Sequence, residues 1–348
     1  KTDTTTMSKK YHEVIIKKDF LLRNSGPLFE DPTEVDVRVL KWDPKDPTEE
    51  YLFDMVGVDA SVANSFRRII IDETPGVAFE YVFINPDHDN ELPDDMLSHR
   101  VGLVPLNIDP RIVDFAPKPV QLDNDQQEQF DFDEYPDFSH IDHFVFDLQV
   151  ENPSSAKEAI TVHSGDFVWR PNPGQKEKFG NTPPAPLFPK IALTKALPGQ
   201  KVSLRAVAIK GLGKDHSKFS PTATTFYRIL PVITFKEDIV GKEAKELVKT
   251  CPVQVFDIED TGKAFVKNPR SCTMCRECVR SYSFSDKIEL KRNPRHFLFS
   301  IESCSPLSPS EIFIESTKVL IQKCDALSDS LREQVEKLSF NSSSSSSF

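Results

Sequence analysis

Three cysteines at successive two-residue gaps, Cys272, Cys275 and Cys278, oblige their backbone to curl around one point if they serve one ligand, and Cys251, followed by Pro252, offers a fourth thiolate. Between the two groups, the stretch VQVFDIEDTGKAFV (253–266) reads as strand, turn and strand, with Asp260, Thr261 and Gly262 near the turn. Four of the six cysteines therefore fall within 251–278. In a reducing compartment such clustering speaks for a metal centre rather than disulfides. Cys304 and Cys324 stand alone, and each is expected to be a small buried apolar residue.

The spacing resembles one half of a two-cluster ferredoxin, in which each half carries C-x2-C-x2-C-x3-C-P and its last cysteine ligates the cluster of the other half. Under that crossing rule Cys251-Pro252 is the distant fourth ligand and Cys272, Cys275 and Cys278 are the triplet. The other ligand set is missing, since its triplet positions hold Gly241, Ala244 and Leu247 and its C-P position holds Tyr282. One [4Fe-4S] cluster is the first expectation. Zinc and a metal-free site are the alternatives, although structural zinc sites usually take two separated pairs rather than three consecutive cysteines. With no flavin, haem or nicotinamide motif beside it, the centre is expected to staple a small domain. An electron-donating protein with a ferredoxin-like domain and an unidentified acceptor is the alternative reading of the chain.

Composition narrows the rest. The chain has 348 residues, 38% of them hydrophobic and 28% charged, enough for two or three domains with real cores. No apolar run approaches the roughly 20 residues of a membrane span, and the first residues lack the apolar centre of a signal peptide, so an intracellular protein without membrane contact is expected. A net charge of −11 argues against direct, sequence-specific DNA binding, because phosphate neutralisation needs a basic face. Acid-rich stretches such as DNDQQEQFDFDE lack the fixed geometry of a catalytic metal site, so no catalytic residues are assigned.

Along the chain, VDVRVLKW (35–42) and EYLFDMVGV (50–58) alternate as half-buried strands do. A helix follows, capped by Asp59 or Ser61, stopped by Pro75-Gly76 and carrying the stripe Val62, Phe66, Ile69 and Ile70. Arg67 and Arg68 lie on its flank. A second helix begins at Pro93-Asp94 and ends near Gly102; its His99 is expected to be structural. Residues 107–140 read as an acidic surface excursion and 170–189, rich in proline, as an extended loop. The strands between them make the middle of the chain mostly β. After a helix from Glu237, the cysteine segment and a short strand around FLFSIES, a long helix from about Pro309 to Leu338 sets Phe313, Thr317, Leu320, Cys324, Leu327, Leu331 and Leu338 on one stripe. Such a seam either packs on the chain's own sheet or takes a partner helix. The tail NSSSSSSF reads as mobile.

Four ordered motifs, ANSFRRIIIDETPGVAFEYVFI, DDMLSHRVGLVPL, VAIKGLGKDHSKFSPTATTFYRILP and FLFSIES, resemble the α-like subunits of cellular RNA polymerases. The likeness covers about residues 30 to 340 and is greatest to the larger α-like subunit shared by eukaryotic RNA polymerases I and III. It implies an α+β fold in which an RNA polymerase α-like dimerisation domain (12–76, 222–236 and 287–340) carries an inserted mostly-β domain (77–221) and a small ferredoxin-like domain (237–286), before a disordered tail (341–348). It further implies a nuclear, non-catalytic assembly subunit that pairs with a smaller α-like subunit and serves synthesis of rRNA, 5S rRNA and tRNA in the nucleolus and nucleoplasm. Carried over position by position, Val62, Phe66, Ile69 and Ile70 with Phe313, Leu320, Leu327 and Leu331 form the heterodimer seam. Arg67 and Arg68 face a large catalytic subunit, and Lys214, Asp215, His216, Lys218 and Phe219 lie at the contact with the second-largest. Read without the family, that last segment is a flexible glycine-rich turn, since no phosphate loop is present. The resemblance does not carry cluster occupancy. The polymerase II relative has closely spaced cysteines in its inserted domain, whereas 77–221 here contains none, which favours polymerases I and III.

Overall fold

The computed structural model of the chain describes residues 12–17, 20–27, 35–41, 50–117, 138–280 and 284–344. The 118–137 part of the acidic excursion and residues 345–348 of the tail lie outside them. In chain order the strands are β1 (His12–Lys17), β2 (Phe20–Pro27), β3 (Asp36–Lys41), β4 (Tyr51–Val56), β5 (Pro75–Ile84), β6 (Phe144–Glu151), β7 (Ile160–His163), β8 (Val168–Arg170), β9 (Ala192–Ala196), β10 (Lys201–Leu212), β11 (Thr222–Phe235), β12 (Phe256–Ile258), β13 (Ala264–Val266) and β14 (Ile288–Ser303). The helices are α1 (Ala60–Arg68), α2 (Asp94–Gly102), α3 (Gln175–Phe179), α4 (Gly241–Thr250), α5 (Glu277–Arg280) and α6 (Pro309–Ser344). The class is α+β, as expected. Two compact units divide the chain: one holds Phe53–Ala63, Tyr227–Phe299 and the described residues up to Leu40, the other Asn64–Phe226, the residues from Ser300 onward and those described within 41–52.

The first unit is built on a sheet of order β11-β14-β4-β3. Phe53 and Phe299 stack in it at 5.1 Å, and Tyr227 meets the rings of Phe297 and Phe299. β4 is interior on both faces, with Phe53, Asp54 and Met55 all buried; the half-buried reading of this stretch does not hold. β3 is the edge strand and leaves Val37, Val39 and Leu40 exposed. The same unit carries the cysteine module, where α4, the β12–β13 hairpin and α5 enclose Ile239, Ala244, Leu247, Val255, Phe256, Ala264, Cys278, Phe284 and Ile288. The hairpin matches the expectation, with Phe256 opposite Val266 and Gly262 at φ +81° in the turn.

The second unit centres on the sheet β5-β10-β6-β8. In β6, Phe144, Phe146 and Leu148 point inward at period two and pack with Phe79, Leu97, Val101, Val202 and Leu204. α2 supplies Leu97 and Val101 one turn apart, with Asp94 and Asp95 in its first turn, where the helix dipole favours negative charge. Arg100, in its last turn, donates to the carbonyls of Leu193 and Ala192 and ties the helix to β9. The proline-rich stretch is not wholly extended. Its proline-free residues form α3, whose Gln175 and Phe179 are buried while Asn172 and Gln175 amides donate to the carbonyls of Phe138, His140, Ile141 and His143. α6 runs 36 residues, about 54 Å at 1.5 Å per residue. It continues through Ser344, so the first four residues of the tail read as mobile are helical.

Candidate partner seam and cysteine centre

α1 starts at Asp59, whose carbonyl accepts from the Ala63 amide and whose carboxylate accepts from Ser61. The Ser61 hydroxyl holds that carboxyl below its ordinary value. At Ile69 the helix widens into a π turn (Ile69–Glu73), closed by Thr74, whose amide and hydroxyl both donate to the Ile69 carbonyl. The widened turn departs from the 3.6-residue period on which the stripe was read. Ile69 and Ile70 end up buried within this chain, so the reading that they face a partner is corrected. Val62 is 38% exposed. Phe66 is half-buried against Phe313, with ring centroids 5.3 Å apart.

α6 opens with a capping box: the Ser308 amide donates to the Glu311 carboxylate and the Glu311 amide donates back to the Ser308 hydroxyl. Those bonds, with Arg111 on the other carboxylate oxygen, hold Glu311 below its ordinary pKa. The first turns are fastened by buried Ile312 and Ser316, and the helix packs on the 69–73 turn, where Lys323 pairs with Glu73 at 2.6 Å. Farther along, Ile321, Leu327, Leu331 and Val335 are each more than half exposed, continuing the stripe from exposed Ile314 and half-buried Leu320. Cys324 lies exposed among them rather than buried as expected, and Cys304 is half-buried with its thiol directed to the Ser220 carbonyl.

The polar residues named from sequence separate into tied and open ones. Arg67 donates twice to the Asn64 side chain at 3.1 Å, while Arg68 is exposed. Lys214, Asp215 and His216 are exposed. Lys218 is bound to Glu80 at 2.6 Å and lies over the Phe219 ring, and the His216 ring accepts from the Lys218 amide. Phe219 itself is buried. A side chain on Gly76 would meet the Phe219 carbonyl at 2.1 Å, and one on Gly211 would meet its ring at 2.7 Å. The expected flexible turn is therefore pinned at Phe219, and that residue is interior rather than a surface contact. His99 is exposed and lines a cleft with His216, Lys218 and Glu80.

The four cysteines Cys251, Cys272, Cys275 and Cys278 line one small hollow with Val253, Val255, Phe256 and Leu290. No three His, Cys, Asp or Glu side chains among the described residues are drawn in closely enough to hold a metal ion, so the structure presents a donor set around a space, not a closed coordination sphere. Three features fit that set to a metal group. The only described non-glycine residues with positive φ are Gln254 (51°), Met274 (59°) and Arg276 (65°), all in this segment, where they curl the chain between ligands. The Val255 amide donates to the Cys251 sulfur. Burial, with the neighbouring Cys272, Cys275 and Cys251 behind it, pushes the Cys278 thiol up to about 11, so thiolates gather here only if cationic charge joins them.

Sequence reasoning missed a buried carboxylate beside this segment. Asp54 is 1% exposed; its Oδ1 accepts from Arg270 Nη1 at 2.7 Å, and its Oδ2 is shared by Arg270 Nη2 and His296 Nε2. The signal was present: a charge inside the otherwise apolar strand YLFDMV demands a buried partner.

The fold is α+β, with an apolar face of α6 left exposed. Residues 52–167 match the family described as the RNA polymerase Rpb3/Rpb11 dimerisation domain. The chain is 37% identical over 292 residues to a DNA-directed RNA polymerases I and III subunit of Dictyostelium discoideum, covering 82% of this chain and 80% of that one. It is 36% identical to the corresponding Saccharomyces cerevisiae subunit (79% and 82% covered) and 35% identical to the human one (80% of each). A Dictyostelium RNA polymerase II subunit, rpb3, reaches 25%. This chain belongs to the RNA polymerase α-like family, on the branch of the larger α-like subunit of polymerases I and III.

Proposed function

We propose that this chain is the non-catalytic assembly subunit shared by RNA polymerases I and III, and that it nucleates the core enzyme by pairing with a smaller α-like subunit through the free face of α6. The observation that carries the reading is the row Ile321, Leu327, Leu331 and Val335, all exposed on α6 beyond the turns that Ile312 and Ser316 fasten. Covering such side chains is worth about 1.5–3 kcal/mol each before association costs. Lys214, Asp215 and His216 are the open part of the loop assigned to the second-largest subunit, and Arg68 the open member of the pair assigned to a large catalytic subunit. Work in the nucleus, and in the nucleolus for rRNA synthesis, follows from that assignment. The electron-carrier alternative leaves both α6 and the kinship unexplained and is not pursued.

In the same reading Cys251, Cys272, Cys275 and Cys278 hold one [4Fe-4S] cluster, with zinc as the alternative metal. The group supplies cationic charge and covalent ties that staple the cysteine module; it takes no part in RNA synthesis. Co-expression with a smaller α-like subunit tests the central part, because a 1:1 heterodimer by light scattering is expected. A chain that stays monomeric in the presence of that subunit would contradict it. Iron, zinc and acid-labile sulfide, determined on anaerobically purified protein, test the metal separately.

A further inference from the structure

The sheet of the first unit reaches the cysteine loop through a buried carboxylate. Asp54, in the middle of β4, accepts both arms of the Arg270 guanidinium and also the His296 Nε2 contributed by β14. Arg270 lies in the short turn Pro269–Ser271, and the amide of Cys272 donates back to the Pro269 carbonyl at 3.2 Å. The first cysteine of the triplet is thus bonded to the very turn whose arginine the sheet holds. A bidentate guanidinium–carboxylate pair fixes orientation as well as distance, which a single lysine contact would not do. Groups that orient ligands from behind are as much a part of a metal site as the ligands themselves.

We propose that Asp54 and Arg270 form a positioning pair for the cysteine centre: through Arg270, Asp54 sets the Cys272 end of the loop, and metal uptake by the four thiolates is in turn felt in β4 and β14. The inference rests on the reading of those cysteines as a metal site. It assigns to β4 a second task besides packing, and it links the cysteine module to the sheet that holds its arginine.

The test uses the full chain, loaded with Zn(II) alone or with ferrous iron and sulfide under anaerobic conditions. Metal affinity is measured by chelator competition for the wild type, Arg270→Gln, Arg270→Lys, Asp54→Asn and the Asp54→Asn/Arg270→Gln double variant. Each of Arg270→Gln and Asp54→Asn is expected to weaken binding about 10–100-fold, Arg270→Lys to recover part of the loss, and the double variant to bind no worse than either single one. Amide exchange supplies a readout that packing alone would not move: loading slows exchange in 51–56 and 288–303 of the wild type, and this slowing disappears in Arg270→Gln while the loop amides of 272–278 still respond. Arg270→Lys keeps a cation beside the buried Asp54 carboxylate and the double variant removes both charges, so these two decide the matter even if a single neutralising variant does not fold. Wild-type affinity in the Arg270 variants, or losses that simply add in the double variant, overturn the pair. A wild-type chain that takes up neither zinc nor iron overturns the metal reading itself, and the pair with it.

Discussion

A carboxylate sealed inside a sheet must either be neutral or be ionised and fully paired. Burial pushes the carboxyl of Asp54 upward, but hydrogen bonds from Arg270 and His296 outweigh it and hold it below the ordinary value of 3.8. A lowered native pKa contributes stability that is complete above the unfolded carboxylate range and is lost as pH falls through the native value. Asp54→Asn is therefore expected to cost about 1–3 kcal/mol at neutral pH, because Arg270 loses its counter-charge and His296 its carboxylate partner. It is also expected to flatten the loss of stability below about pH 4; urea unfolding from pH 7 to pH 3 reads both. At the cysteine loop, Met274 and Arg276 sit in the left-handed region, which costs an ordinary residue about 1–2 kcal/mol and a β-branched one more. Met274→Gly should leave metal uptake unchanged and Met274→Ile should lower it, as measured by bound metal after dialysis. The cysteine spacing made the donor set legible from the sequence. Asp54 was overlooked because its partners stand 216 and 242 residues away, where no local pattern reaches.

At the scale of elements, the stripe on α6 was readable because helical side chains recur every three or four residues, and the exposed Leu327 and Leu331 confirm that the stripe leaves the chain's own core. Leu327→Asp with Leu331→Asp should abolish capture of a smaller α-like subunit, since the variant would bury two unpaired charges in the seam. Because both leucines are exposed in the isolated chain, its own unfolding free energy should shift by no more than about 0.5 kcal/mol per site. Loss of folding along with pairing would remove α6 from its role. The same period failed on α1, where the π turn at Ile69 rotates the residues after it, and the strict spacing of four and three no longer marked one face. α3 escaped notice for another reason: five residues are too few to show a period, and their prolines-on-both-sides setting reads as loop.

The whole chain is woven rather than laid out in consecutive domains. β4 pairs with β14 and β14 with β11, so the sheet of the first unit is completed only after the inserted sheet β5-β10-β6-β8 has been traversed. Composition and order of elements showed an α+β chain, but pairing over such separations depends on packing that no single stretch records. The cysteine module closes on itself around Leu247, Phe256 and Phe284. Cys275→Ser is accordingly expected to lower the melting temperature of the isolated chain under metal-loaded conditions while leaving heterodimer formation and RNA synthesis by the assembled enzyme intact. Full stability with impaired transcription would contradict a stapling role. The assignment to an assembly subunit is tested most directly by tagging the full chain in its native host and identifying the polypeptides that co-purify in stoichiometric amounts. Large subunits of both RNA polymerase I and RNA polymerase III, together with one smaller α-like subunit, are the predicted result; recovery of RNA polymerase II subunits instead, or of no polymerase subunits at all, would contradict the account.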